Sequence, residues 1–281
     1  MLLKGKEVAD KINEKTIKDV EALHLQGVAP TLAIVRVGEN DSDIAYEKGA
    51  EKKANLLGIK VEKYILRDND ETEEEDLVDV IKAINDNKDI HGVLLFRPLP
   101  KRFNDDTVRN TLAPEKDIDG ITDLSMSGVF TDKTLGYPPC TAAAAMEILR
   151  HYGIEMSGKK AVIIGRSLVI GKPVAMMLLK ENATITICNS KTPADELEKL
   201  CKDADIIIAA TGRMHTVTDK HITDKQVVID VGINFDEEGK MCGDADFADI
   251  EDKVRGITPV PGGVGSVTTS ILMQHVVEAA K

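Results

Sequence analysis

The sequence predicts an α/β protein built from two units, each around a parallel sheet. Helical and strand-like segments alternate along the chain, joined by crossovers of the length that links parallel strands. In the second half, the apolar run Ala161-Val-Ile-Ile-Gly165 ends in glycine and turns through small residues into a helix, the local form of a Rossmann-type turn. A length of 281 residues leaves room for two such units.

The elements follow in order. Residues 5–26 carry apolar positions at helical spacing (Val8, Ile12, Ile17, Val20, Leu23) and stop at Gly27. Residues 31–37 read as a strand, 42–57 as a helix stopped by Gly58, and 59–66 as an alternating strand. The acid-rich run 68–79 opens a helix over 72–85, with Thr72 and Glu75 spaced as a capping box. Residues 92–96 form a short buried strand, and 98–139 read as irregular. The second unit starts with a helix over 141–152 and the strand ending at Gly165. It continues with a helix over 172–180, strands over 183–188, 205–210 and 226–231, and a terminal helix over 267–280.

Composition sets limits on function. Formal net charge is -12 and no basic stripe occurs, which argues against nucleic acid or an anionic membrane as partner. No stretch reaches the roughly 20 apolar residues of a membrane span. The first residues lack the apolar core of a signal peptide. The four cysteines are widely spaced, without a C-x-x-C pair, so neither a metal site nor a disulfide framework is expected, and a cytoplasmic location is. Aromatic residues make up only 3% of the chain, so the cores must be aliphatic.

The turn Gly165-Arg166-Ser167-Leu-Val-Ile-Gly171-Lys-Pro173 aims a helix N-terminus at a phosphate. Serine holds the position of the second fingerprint glycine. An NAD-preferring unit puts an acid at the end of its second strand to bind the ribose 2′-hydroxyl. Here that strand ends Cys188-Asn189-Ser190-Lys191, without an acid. Hydroxyl, amide and ammonium groups there, with Arg166, suit a 2′-phosphate and therefore NADP.

Several segments together resemble the bifunctional methylenetetrahydrofolate dehydrogenase/cyclohydrolases, in the same order over nearly the whole chain. They are Val37-Gly38 with Tyr46, Pro98-Leu99-Pro100, Lys116-Asp117-Ile118-Asp119-Gly120, Pro139-Cys140-Thr141, Gly165-Arg166-Ser167, Asp230-Val-Gly-Ile233-Asn234 and Thr258-Pro-Val-Pro261-Gly262-Gly263-Val-Gly265. The resemblance implies a folate-binding catalytic domain over 1–139 plus 264–281, completed by the C-terminal helix. It implies a Rossmann-type NADP domain over 140–263, a homodimer, and folate in a cleft between the domains. By position, Gly165, Arg166 and Ser167 would hold cofactor phosphates, with Ser190 and Lys191 at the adenosine end and Ile233 near the nicotinamide. Tyr46 and Asp119 would serve the catalytic site and flank the folate. Pro98, Leu99, Pro261, Gly262 and Gly263 would line the substrate.

The chain departs from the family pattern at two points. Tyr46 is followed four residues later by Ala50, where the family has its catalytic lysine, and Phe96 stands where the family has glutamine. Hydride transfer to NADP⁺ needs positioning but no proton-exchanging side chain. Hydrolysis of the methenyl product does need one. The expectation is a retained dehydrogenase and a cyclohydrolase that is weak, absent or rebuilt, with Lys53 and Arg97 as substitute candidates. Two other readings stay open: an NADP dehydrogenase of the same plan with another substrate, as in shikimate-type or malic-type enzymes, and a catalytically silent folate or nucleotide binder.

Overall fold

A computed structural model describes residues 1–69 and 71–281. The chain divides into an N-terminal unit, Lys11–Pro138 with Thr269–Lys281, and a central unit, Met1–Asp10 with Pro139–Thr268.

The N-terminal unit holds most of α1 (Gly5–Leu25), then β1 (Thr31–Val37), α2 (Asp41–Leu56), β2 (Lys60–Leu66), α3 (Glu74–Asp86) and β3 (Gly92–Leu95). The strands form a parallel sheet in the order β2-β1-β3. Central β1 is buried along nearly its whole length, as expected of a strand covered on both faces. Edge strand β2 is largely exposed. Leu77, Ile81 and Ile84 of α3 pack with Val35, Val93 and Leu95, which places the helical stripe read from the sequence on the sheet.

The helix start at α3 differs from expectation. Glu73 is the N-cap and the Asp76 carboxylate accepts its backbone N–H at 2.8 Å. Thr72 is already used in the preceding turn, where its N–H and hydroxyl both donate to Asn69 Oδ1. The stretch 98–139 is also more ordered than expected. It contains α4 (Asp105–Thr111), capped by Asn104, and α5 (Asp123–Thr131), capped by the Thr122 hydroxyl.

The central unit holds α6 (Cys140–His151), β4 (Lys160–Ile164), α7 (Gly171–Lys180), β5 (Thr184–Cys188), α8 (Ala194–Asp203), β6 (Ile206–Ala209) and β7 (Val227–Asp230). These are followed by a small hairpin, β8 (Asn234–Phe235) with β9 (Met241–Cys242), then α9 (Phe247–Ile250) and β10 (Gly256–Ile257). Helix α10 (Val264–Ala279) runs from the end of this unit into the terminal segment of the other. The five-stranded sheet is parallel with order β10-β7-β6-β4-β5. The chain moves from β4 outward to β5, then returns to the other side of β4 for β6. That reversal makes the carboxyl ends of β4 and β6 a topological switch point.

By contacts, residues 1–10 group with the central unit. The reason is backbone pairing at the sheet edge: Leu2 bridges Ile257, Leu3 N–H donates to the Ile257 carbonyl at 2.9 Å, and Gly5 N–H donates to the Gly262 carbonyl at 2.8 Å.

Candidate active site

At the switch point the chain leaves β4 through Gly165, whose φ is +128°. A Cβ there would lie 2.2 Å from the Ala210 carbonyl oxygen at the end of β6, so only glycine fits. A Cβ on Gly171 would in turn meet the Gly165 carbonyl oxygen at 2.3 Å, which locks the turn against the first residue of α7. No side chain caps α7; in its first turn the Lys172 N–H donates to the Ser167 carbonyl at 3.0 Å and Pro173 has no N–H, so the turn offers the Gly171 N–H and the positive end of the helix. Arg166 and Ser167 are exposed beside them. Ser167 also shapes the loop, its Oγ accepting the Ile170 N–H at 3.3 Å. The crevice therefore fits a phosphate on geometry alone.

At the end of β5, Asn189 Oδ1 accepts the Lys191 N–H at 3.0 Å, and Asn189 N–H donates to Thr192 Oγ1 at the same distance. Ser190 and Lys191 are thus presented on a fixed, exposed turn. Ile233 lies after β7 and is 61% exposed, unusual for its type.

The loop around Ile233 rests on two buried carboxylates, of which sequence reading singled out only the motif containing the first. Asp230 accepts from Gly232 N–H (3.0 Å), Asp244 N–H (2.9 Å) and Ala245 N–H (2.8 Å). Burial pushes its pKa up to about 6 against the pull of those three donors. Its own N–H donates to Thr258 Oγ1 at 2.7 Å, which ties β7 to the segment leading into Pro261, Gly262 and Gly263. Pro261 and Gly262 are exposed, while Gly263 is buried, and a Cβ there would lie 2.5 Å from the Pro259 carbonyl oxygen. Asp244, fully buried, accepts from Thr211, Gly212 and Arg213 N–H groups, the Thr211 hydroxyl and Asn234 Nδ2. No local pattern marks Asp244, because its burial depends on strands distant in sequence.

In the N-terminal unit, Tyr46 and Ala50 share one face of α2, and Phe96 follows β3. The Tyr46 and Phe96 rings meet edge to face with centroids 5.8 Å apart. Ala50 and Phe96 are both buried, so this part of the N-terminal unit is apolar. Beside it, Glu47 turns toward the sheet and pairs with Arg36 at 2.8 Å and Lys63 at 3.1 Å. Burial raises the Glu47 pKa, but the hydrogen bonds from Arg36 and Lys63 outweigh it and hold the carboxyl below its usual range.

The two substitute candidates fare differently. Arg97 Nε donates to Asp105 Oδ1 at 2.7 Å and a second guanidinium N–H reaches Oδ2, a bidentate pair that lowers the Asp105 pKa. Lys53 is half-buried, one helical turn beyond Ala50. Pro98 is exposed and Leu99 partly so, directly after the Arg97–Pro98 cis peptide.

The Lys116–Gly120 segment separates into structural and accessible residues. Lys116 Nζ donates to the carbonyls of Ile84, Asn85 and Asn87, closing the end of α3, and burial lowers its pKa. Asp117 is fully buried and accepts from Ile121 N–H, Thr122 N–H and Ser125 Oγ. Asp119 is half-buried between these anchors. Sequence reading did not pick out His275 of α10. It is buried against the Tyr137 ring and its Nδ1 donates to the Ile118 carbonyl at 2.7 Å. Burial lowers the His275 pKa, so the ring is neutral with the proton on Nδ1.

Among the described residues no cluster of three or more His, Cys, Asp or Glu could hold a metal ion, and no helix is long and apolar enough to cross a membrane.

Comparison with known proteins matches two family models: the tetrahydrofolate dehydrogenase/cyclohydrolase catalytic domain over residues 3–119, and the NAD(P)-binding domain of the same family over residues 139–281. Among curated relatives, the bifunctional protein FolD of Clostridioides difficile is 49% identical, covering 100% of this chain and 96% of its own. The crystal structure of the bifunctional FolD methylenetetrahydrofolate dehydrogenase/cyclohydrolase from Campylobacter jejuni superimposes with a TM-score of 0.96 at 35% identity, covering 100% and 98% of the two chains. The Trypanosoma brucei methylenetetrahydrofolate dehydrogenase-cyclohydrolase, solved with NADP and an inhibitor, has a TM-score of 0.91 at 29% identity, covering 100% and 97%.

Proposed function

The chain belongs to the tetrahydrofolate dehydrogenase/cyclohydrolase family, and from that premise we propose an NADP-dependent oxidation of 5,10-methylenetetrahydrofolate with the hydrolytic half of the family's chemistry weakened, lost or rebuilt. The observation that carries the oxidoreductase reading is the glycine turn from β4 into an uncapped α7.

NADP⁺, held by these residues, would supply the acceptor for the hydride of the folate methylene carbon, whose oxidation gives the methenyl form. The chain's own groups do the positioning. The Gly171 N–H and the positive end of α7, with Arg166 and Ser167, would hold phosphate. Ser190 and Lys191 suit the 2′-phosphate, and Ile233 offers an apolar surface to the nicotinamide. Tyr46 flanks the folate, Asp119 accepts from its pterin, and Pro98, Leu99, Pro261, Gly262 and Gly263 line the substrate. None of these residues exchanges a proton, and hydride transfer does not require one.

Hydrolysis does require one. Ala50 offers none, and Phe96 fills the adjoining space with an aromatic ring. Arg97 is a poor donor, since a guanidinium stays charged and this one is held by Asp105. Lys53 is the better candidate for a rebuilt base. The acidic balance supports small-molecule partners over nucleic acid, and a cytoplasmic place in one-carbon and purine metabolism is the family expectation. A homodimer is the family expectation. The exposed strand β5, Thr184-Ile-Thr-Ile-Cys188, supports it, being a sheet edge without the charges or proline that guard such edges.

Two absorbance assays on the purified protein test the reading. NADPH formation on adding methylenetetrahydrofolate supports the dehydrogenase, and its absence overturns it. Decay of methenyltetrahydrofolate at the buffer rate supports the lost hydrolase, and enzyme-dependent decay overturns that part.

A further inference from the structure

We propose that Asp244 is a positioning residue for the nicotinamide half of the cofactor, acting through its carboxylate on the loops that follow β6 and β7. The proposal rests on the dehydrogenase reading above. Asp244 is fully buried, and its partners are five neutral donors from two loops: Thr211, Gly212 and Arg213 N–H and the Thr211 hydroxyl after β6, and Asn234 Nδ2 after β7. A buried carboxylate is costly unless its lone pairs are met, and here they are met by the loops themselves. The two loops are thereby cross-linked through one side chain.

The geometry leaves no slack. A Cβ on Gly232 would lie 2.0 Å from Asp244 Oδ1, and one on Gly243 would lie 1.9 Å from Asp230 Oδ2. Asp230 in turn holds the Asp244 and Gly232 N–H groups, so each acid fixes the other's surroundings. Ile233 sits between a residue tied to Asp230 and a residue tied to Asp244, with its apolar side chain 61% exposed. An exposed isoleucine flanked by a backbone N–H held by Asp230 and a side-chain amide held by Asp244 is a preformed apolar platform, suited to a flat ring. These loops leave the carboxyl ends of β6 and β7, on the side of the switch point away from β5. The adenosine end is served instead by the turns after β4 and β5, which Asp244 does not touch.

The test is Asp244→Asn, which keeps the shape but turns an NH2 toward N–H donors. A misplaced reacting ring costs rate more than binding, so kcat falls about thirtyfold while KM for NADP rises less than about fivefold. By titration calorimetry without folate, the affinity for NADP weakens by about three- to fivefold, while that for 2′,5′-ADP, which lacks the nicotinamide, is unchanged. Asn234→Ala removes one donor from the same carboxylate and shows the same pattern at about threefold in kcat, and it decides the matter if Asp244→Asn does not fold. A kcat within error of wild type in the folded variant, or equal loss of affinity for NADP and 2′,5′-ADP, overturns the proposal. If wild-type protein binds NADP but does not oxidise methylenetetrahydrofolate, the dehydrogenase reading fails, and the two calorimetric affinities still decide the role of Asp244.

Discussion

The two units use the same strand–helix–strand arrangement but build their sites from different material. The central unit shapes its crevice with backbone: Gly165, Gly171 and the N-terminus of α7, with loops held by Asp230 and Asp244. The N-terminal unit shapes its site with side chains on α2 and after β3: Tyr46, Ala50, Phe96 and Arg97. A side-chain site can change its chemistry by two substitutions that leave the fold intact. A backbone site cannot, because its atoms are also the structure.

The sharpest way to break this contrast is Gly165→Ala. The new methyl group meets the Ala210 carbonyl at 2.2 Å on a left-handed backbone, so NADP affinity falls by about a hundredfold or more, measured by calorimetry. An alanine enzyme that binds NADP normally would show that the turn is not rigid. Next is Asp117→Ala, which strands two N–H groups and a hydroxyl behind Asp119. Unfolding in urea is expected to lose about 3 kcal/mol, with KM for folate rising and KM for NADP unchanged.

The side-chain site is tested by addition. Ala50→Lys alone places an ammonium against the Phe96 ring and gives little hydrolysis. Ala50→Lys with Phe96→Gln raises methenyltetrahydrofolate decay by roughly tenfold or more over wild type, toward the range of general acid–base catalysis. Equal rates for the single and double variants would show that Phe96 is not an obstacle.

The smallest effect is one of pH. Asp230 has a folded pKa raised to about 6 above an ordinary carboxyl value of 3.8, so its protonated form favours folding. That contribution is fully present below about pH 4 and is lost as pH rises through 6. Between pH 5 and 7 the stability of wild type should fall by about 1 kcal/mol relative to Asp230→Asn, read from urea unfolding at each pH.

The sequence made the strands and the nucleotide turn legible because each is a local pattern: an apolar run, a glycine, a helix start. It did not reveal α4 and α5, which are short, carry weak helix formers (Thr and Asn in α4, Ser, Gly and Thr in α5), and are fixed by the caps Asn104 and Thr122. The hairpin of β8 and β9 has two-residue strands with no alternation to detect. In Lys116-Asp117-Ile-Asp119-Gly120 the motif was visible but not its division of labour. Only the fold shows that Lys116 and Asp117 face inward while Asp119 is partly exposed. His275 and Asp244 were hidden for the same reason, since their partners Ile118 and Thr211 are far away in the chain.

The carboxylate of Asp244 has a consequence in time as well as in space. The amide hydrogens of Thr211, Gly212 and Arg213 lie in a loop, outside any sheet ladder, where exchange with deuterated water is ordinarily fast. Each is bonded to the buried carboxylate of Asp244, which releases it only when the segment carrying that residue parts from the loop after β6. Isotope uptake at these three positions should therefore follow the opening of that contact, giving the site a clock set by a single buried side chain.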